Sequence, residues 1–497
     1  MKRLFPLVII MLLPLDLLGQ NQVDALRYSQ TYSGGTARSV ALGGAFGALG
    51  GDFYTVSQNP AGLGVFRGSE LTFTPELFYS RISARYYSNR EDDIKYNFNF
   101  NNFGYVTSFD IADKGLISGS FAFGYNKLNN YNENLLIEGN NIQSSLGDMF
   151  VESANYGEGN GPVDPQYLLP FTEGLFYDGY IMDLGEDGYY HLNEAIRDST
   201  GNINIDQQNT ISRSGRMNEW VLSLGFNYEH VLYFGASFSM IPVQYRENST
   251  FRESSASSGM TFFRYDESLN VTGNGYTGKL GIILKPVHFL RLGLAFHLPV
   301  SYYLSEVHDA DLQSGLSGSS DIIYPIDEYG DPIDYGQYDY RIVTPAKTIG
   351  SLGLIVGKIA LLSADVEYIN YAGMRLTNAS DGYDFSDENS TVKAIYTSNI
   401  NLKTGAEFRF GNLYLRGGFG YYGSPYKASE PNADAYKLSY SGGLGIRDKN
   451  FFVDFALSYL TSEERYVLYD SPFNANPVSA ELSSQKVKAM ATFGFRF

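Results

Sequence analysis

The residues best spaced for chemistry in this chain are carboxylates. Asp183-Leu184-Gly185-Glu186-Asp187-Gly188, with Glu194 at the twelfth position, approaches a calcium loop, which needs alternating oxygen donors, a glycine at position six and a closing glutamate. Asp183, Asp187 and Glu194 fit, whereas Gly185 stands where Asp or Asn belongs. The segment reads as a weak calcium candidate or as an acidic, glycine-bearing loop. The five histidines (His191, His230, His288, His297 and His308) show neither a metal pair nor a haem-attachment motif. There is no Gly-x-Ser-x-Gly elbow and no Gly-x-x-x-x-Gly-Lys phosphate loop. Zero cysteine removes thiolate zinc sites, iron–sulfur clusters, disulfides and cysteine nucleophiles together. The reading is a non-enzyme with no cofactor. Arg291, Lys403, Arg409 and Lys437 suit binding better than reaction. They share the polar parity of alternating segments, where they meet a ligand carboxylate or pair with acids such as Asp365, Glu367, Glu407 and Asp454.

Composition says what must hold these groups. The 497 residues include 41 Tyr, 34 Phe and 53 Gly, and charged residues make up only 18%, below the roughly 25% of a typical soluble domain. With 36 basic and 54 acidic residues the net charge is −18, which disfavours nucleic acid. Residues 1–19 read as a secretory signal peptide. Lys2 and Arg3 precede the apolar Leu4 to Leu13, and Gly19 supplies the small residue before cleavage, leaving Gln20 as the mature start. Pro6, Pro14 and Asp16 leave that run short of the roughly 20 residues of a spanning helix.

From Ser69 onward the apolar period is two. Phe497, Phe495, Phe493, Ala491, Ala489 and Val487 share one face of the last segment, and Arg496, Gly494, Thr492, Met490, Lys488 and Lys486 the other. The opposing face is rich in Gly, Ser and Asn along the chain, and aromatics such as Tyr228, Phe410, Tyr436 and Phe497 sit near segment ends. Both features favour apolar out and polar in, with aromatic girdles at the interfaces, over a soluble sandwich. Fourteen strands follow, at about 69–88, 95–110, 115–128, 217–230, 231–247, 261–284, 288–304, 339–356, 359–372, 396–410, 412–424, 435–447, 450–467 and 485–497. Turns after even-numbered strands are tight, whereas most links after odd-numbered ones are long, notably 129–216 and 305–338. The alternation predicts an all-β fold, a 14-stranded antiparallel transmembrane β-barrel over 69–497 with external loops on one rim. Phe98 and Phe100 have one parity while Phe103, Tyr105 and Phe109 have the other, so a bulge near Asn101-Asn102 is expected. Residues 20–68 lack strand periodicity and are rich in small residues, which suits an N-terminal plug (hatch) inside the lumen.

Ala37-Arg38-Ser39, Gly43-Gly44-Ala45-Phe46, Asp52 and Asn59-Pro60-Ala61-Gly62-Leu63, just ahead of the barrel, resemble the hatch of the FadL/TodX family of outer-membrane transporters of long-chain fatty acids and other hydrophobic compounds. Phe493-Gly494-Phe495-Arg496-Phe497 resembles the C-terminal signal read by the outer-membrane assembly machinery. The resemblance implies a monomer in outer-membrane lipid, taking up a hydrophobic small molecule that leaves sideways through the wall. It implies hatch or gating residues at Asn59, Pro60, Ala61 and Gly62, and an inward kink of the third strand, where Gly119 and Gly124 are the candidates. The insertion at 129–216 departs from the family, whose large external loops lie further along, and leaves ligand identity open. The alternatives are a non-transporting barrel, such as a secretion-system component or adhesin, and a diffusive porin.

Overall fold

The computed structural model of the chain describes residues 22–497 apart from Ser33, 157–160, 199, 256–261, 317–321, 328, 379–381 and 471–476. The expected leader, 1–19, lies outside the described residues. Fourteen antiparallel strands close into one barrel. They are β1 Glu70–Tyr86, β2 Asn89–Asp110, β3 Leu116–Asn130 continuing as Glu133–Asn141, β4 Ile205–Tyr228, β5 Leu232–Ser254, β6 Phe262–Val287, β7 Leu290–His297 continuing as Ser301–Ser314, β8 Gly336–Val343 continuing as Lys347–Val356, β9 Ala360–Asn370, β10 Ser398–Phe410, β11 Leu413–Tyr422, β12 Lys437–Arg447, β13 Phe451–Tyr469 and β14 Val478–Arg496. β1 pairs with β14, Glu70 opposite Arg496 and Arg85 opposite Glu481, so the wall has no open edge at its seam.

The burial pattern is inside-out. Leu222, Leu294, Phe455 and Leu457 are exposed, Leu457 at 57%, while Glu219, Asp365, Glu367, Lys403 and Asp454 are buried. A contiguous apolar exterior over a charged interior is stable only against lipid tails. No described helix is long and apolar enough to cross a membrane, so the strands do the crossing.

The strands outrun their apolar pattern. The link expected at 89–94 shrinks to Tyr87-Ser88, with Tyr87 at φ +49°. The loop expected at 129–216 becomes 142–204, and that at 305–338 becomes 315–335, because β3, β4, β7 and β8 run on past the apolar belt. Above lipid the ladder keeps its backbone hydrogen bonds while its side chains, such as those of Asn89-Arg90-Glu91-Asp92, turn polar, so alternation of hydrophobicity stops before pairing does. The bulge expected near Asn101-Asn102 is present. Thr74 pairs with Asn102 and Pro75 with Phe100, which leaves Asn101 without an opposite residue.

The described residues of 22–66 touch inward-facing residues around the ring and are mostly buried. They form α1 Gln22–Ser29, α2 Ala37–Ala41, α3 Thr55–Gln58 and a 3-10 turn Pro60–Val65. The long external loop folds into α4 Leu146–Asn155 and α5 Glu173–Asp178. Their Phe150, Leu175 and Phe176 pack in one cluster with Ile82, Phe251 and Leu312 of the upper wall.

Candidate functional site

The inner segment is seated on glycines that face each other across strands. Gly225 of β4, Gly235 of β5 and Gly281 of β6 form one paired row. A Cβ there would strike Leu63, Pro60 and Asn59 respectively. The row lets the Pro60–Val65 turn lie directly on wall backbone. Gly405 opposite Gly418 receives Leu42-Gly43, and Gly104 opposite Gly124 receives the Phe53 ring.

Polar bonds hold the segment on this seat. Asn59 is fully buried. Its Oδ1 accepts from Ala61 N at 3.1 Å, and its Nδ2 donates to Gly47 O at 2.7 Å and Ile282 O at 3.2 Å. One side chain thus caps the turn, ties it to the preceding loop and fastens both to β6. Arg38 donates Nε to Glu407 Oε2 at 2.9 Å and an Nη to Oε1 at 3.2 Å. Asp365 accepts from Phe46 N and Gly47 N, both at 2.9 Å. Gln58 donates to Glu367 at 3.0 Å, and Ser57 bonds Glu219.

The ladder of the wall is interrupted at one place. β3 pairs with β2 only from Ser118–Asp110 to Asn126–Asn102. Above Asn102, β2 has β1 as its ladder partner on one side, and β3 instead follows β4, with a register shift between Lys127 and Asn129. Gly215 of β4, at φ +137°, accepts from Tyr131 N at 3.2 Å at the break between the two parts of β3. The freed edge of β3 is taken up by the inner segment: Tyr32 N donates to Leu128 O at 3.2 Å and Tyr131 OH to Arg27 O at 3.4 Å. Side chains cross the gap where the ladder does not, as when Lys95 of β2 donates to Arg213 O at 2.7 Å and Ser212 Oγ at 3.2 Å. Interior to the gap, α1 sets Ala25, Leu26 and Tyr28 in an apolar cluster with Tyr131, Met217, Tyr245, Tyr302, Tyr340 and Tyr396. Burial within that cluster raises the Asp24 carboxyl to about 6 against the pull of Arg27.

The sequence-derived candidates divide accordingly. Asn59, Pro60, Ala61 and Gly62 come together in the seat, where a Cβ on Gly62 would strike Thr55. Gly119 and Gly124 lie in regular pairing with Phe109 and Gly104, below the place where β3 parts from β2. Lys403 is engaged by Glu367 at 2.5 Å. Arg291 donates to Leu49 O. Arg409 donates to Gly411 O at the rim and lies over the Tyr414 ring. Lys437 lies 5.1 Å from the Tyr32 ring centroid. The four cations are therefore dispersed. Asp183 and Asp187 fall on a small hairpin, Met182–Leu184 against Tyr190–Leu192, where Asp183 accepts from Asn193 and Asp187 bonds His191 at 3.0 Å. Glu194 begins the next 3-10 turn. Among the described residues no group of three or more His, Cys, Asp or Glu could hold a metal ion. Sequence reasoning missed the glycine rows, whose only signal was Gly on the polar parity of β4, β5 and β6. It also missed Lys127, the residue at which β3 leaves β2.

No family model matches the chain, and no curated protein matches it by sequence. Solved structures do match in fold. A Pseudomonas aeruginosa FadL homologue superposes with a TM-score of 0.55 at 11% identity, over 94% of this chain and 99% of that one. The P. putida toluene transporter TodX gives 0.53 at 13%, over 93% and 99%. A deltaS2S3 mutant of TodX, a monoaromatic hydrocarbon channel, gives 0.52 at 14%, over 93% and 99%. At such identities what is shared is the fold: a fourteen-stranded barrel of the FadL/TodX kind.

Proposed function

We propose that this chain is an outer-membrane protein that takes up hydrophobic molecules and releases them sideways through the gap between β2 and β3. One observation carries the reading: above Asn102 and Asn126 the two strands part, and the edge of β3 bonds the inner segment instead of its neighbour. Unpaired backbone facing lipid is costly, so a wall is left open only where something else satisfies the strand. Here that partner is the stretch from Arg27 to Tyr32, which links the gap to the plug. The plug's own bonds to the wall, through Asn59, Arg38 and Asp365, oppose vertical passage and hence the diffusive porin. A lateral route keeps an apolar solute in contact with lipid throughout and avoids its release into water. In this reading 1–19 is the export leader, the external loops capture the ligand, and Asn59 to Gly62 seat the plug.

Stapling the gap tests this. The chain has no cysteine, so a Lys95→Cys/Ser212→Cys pair is unique in it. Closing that pair with a bismaleimide should abolish uptake of a fluorescent long-chain probe into proteoliposomes. Each single variant carrying the blocked reagent should transport normally. Undiminished uptake by the stapled protein would remove lateral release.

A further inference from the structure

The long link between β3 and β4 does not stand clear of the barrel. Phe150 of α4 and Leu175 and Phe176 of α5, each at most 1% exposed, share one cluster with Ile82, Ile211, Phe251, Tyr265 and Leu312, inward residues of five strands. The Phe176 ring lies 5.6 Å from that of Phe263 and 5.3 Å from that of Tyr265. The other side of the link is wet, with Tyr167, Asp178 and Tyr180 exposed. Depth along β4 shows what this layer covers. Ile211 packs in the cluster of α4 and α5, Arg213 below it pairs with Glu133 and Glu247, and Met217 below that belongs to the tyrosine-lined cluster around α1.

One set of bonds in this cover differs from those lower in the wall. Glu253 of β5 is fully buried beneath the start of α4. Its Oε2 accepts from Ser145 Oγ at 2.6 Å, and its Oε1 accepts from Leu146 N and Gln207 Nε2, both at 2.7 Å. All three donors are neutral. The strongest charge acting on Glu253 is a like one, Asp148, which itself accepts from Ser145 N at 2.8 Å and feels Arg197. Buried acids of the lower wall are matched by cations: Glu219 by Lys279, Glu367 by Lys403, Asp454 by Arg416 and Arg447. A carboxylate buried without a cation gains hydration when it is uncovered. Glu253 therefore opposes the apolar packing that holds the cover down.

We infer that α4 and α5 form a lid over the external mouth of the barrel, closed by apolar packing and sprung by Glu253, which lifts to admit a ligand from outside. That the lid gates entry rests on the uptake reading, whereas its opening does not.

A single thiol reads the opening, since the chain has no cysteine. Leu312 is fully buried, and a Cβ on Gly179, just past α5, would strike it. Leu312→Cys in the full-length protein in nanodiscs at pH 8 should react slowly with a membrane-impermeant maleimide. Burial raises the Glu253 carboxyl to about 7, so at this pH it is charged whether the lid is shut or lifted. In that background Phe176→Ala should speed labelling about a hundredfold. Glu253→Gln keeps the shape and an acceptor oxygen but removes the charge, so it should slow labelling about tenfold or more. A glutamate that merely braced α4 would give the opposite sign. The heat-modified gel shift of a closed barrel should be intact in every variant. Labelling as fast or faster in Glu253→Gln, or a rate that Phe176→Ala leaves unchanged, would overturn the lid. The pair Gly179→Cys/Leu312→Cys tests the gate: its oxidation should abolish uptake of the fluorescent long-chain probe, and reduction should restore it. Uptake indifferent to oxidation would remove the gate. Uptake blocked by oxidation of this pair but not by the Lys95–Ser212 crosslink would keep the lid and remove lateral release. No uptake by the unmodified protein would remove the uptake reading and the gate with it.

Discussion

Asn59→Asp isolates the bond that seats the inner segment. Aspartate keeps the shape of asparagine, so packing against Gly281 is unchanged, and its Oδ1 still accepts from Ala61 N. What disappears is the amide donor to Gly47 O and Ile282 O. The buried Gly47 carbonyl left unsatisfied costs about 1–3 kcal/mol, whereas the part-buried Ile282 carbonyl lies on a strand paired on both sides. The seated state should therefore lose about 1–3 kcal/mol, and 3 kcal/mol is about a hundredfold in the open population. Charge sharpens the test. Burial beside two carbonyls disfavours a carboxylate, so the introduced carboxyl titrates above the ordinary range near 4. Once protonated, its O–H can donate to Gly47 O. Stability of the seat in the variant is then retained at low pH and lost as pH rises from about 4 through the raised pKa. Hydrogen exchange of a peptide covering 55–66 reads this directly. The variant should exchange up to about a hundredfold faster than wild type at pH 8 and recover toward it at pH 5, while β-strand peptides stay protected. Planar-bilayer conductance should rise in parallel. Wild-type exchange at pH 8 would refute the assignment of Asn59 as the fastener.

Three further outcomes follow from the same physics. Gly235→Val places a branched side chain against the backbone of Pro60; we expect about 1–3 kcal/mol of overpacking and a plug that proteases reach, with the barrel's thermal transition little changed. Arg416→Met removes one of the two arginines on each of Glu407 and Asp454, both 2.7 Å from the guanidinium, leaving them Arg38 and Arg447, and should cost about 1–3 kcal/mol in urea titrations of the folded barrel. Burial raises the Asp148 carboxyl of the external loop to about 6, so the loop should be most stable below pH 4 and lose up to about 3 kcal/mol between pH 4 and 6. Asp148→Asn should flatten that dependence in proteolysis of α4.

The strand ladder was legible because lipid imposes one rule on every strand, apolar outward at alternate positions. That rule wrote Phe493, Phe495 and Phe497 onto one face, and it exposed the bulge at Asn101 as a change of parity. It also bounded what could be read. Beyond the apolar belt, residues 133–141 and 205–216 are strand, yet nothing in their polarity alternates strongly enough to say so, since the backbone ladder is indifferent to side-chain chemistry. The inner segment was visible as composition, but its seat was not. Gly225, Gly235 and Gly281 are far apart in the chain and become one surface only when β4, β5 and β6 register. The four cations singled out in sequence looked alike there, yet only Lys403 meets an acid, while Arg291 and Arg409 bond backbone carbonyls and Lys437 lies by the Tyr32 ring. Tertiary structure alone decided this, because a cation's partners are whichever groups the neighbouring strands and the inner segment bring within reach.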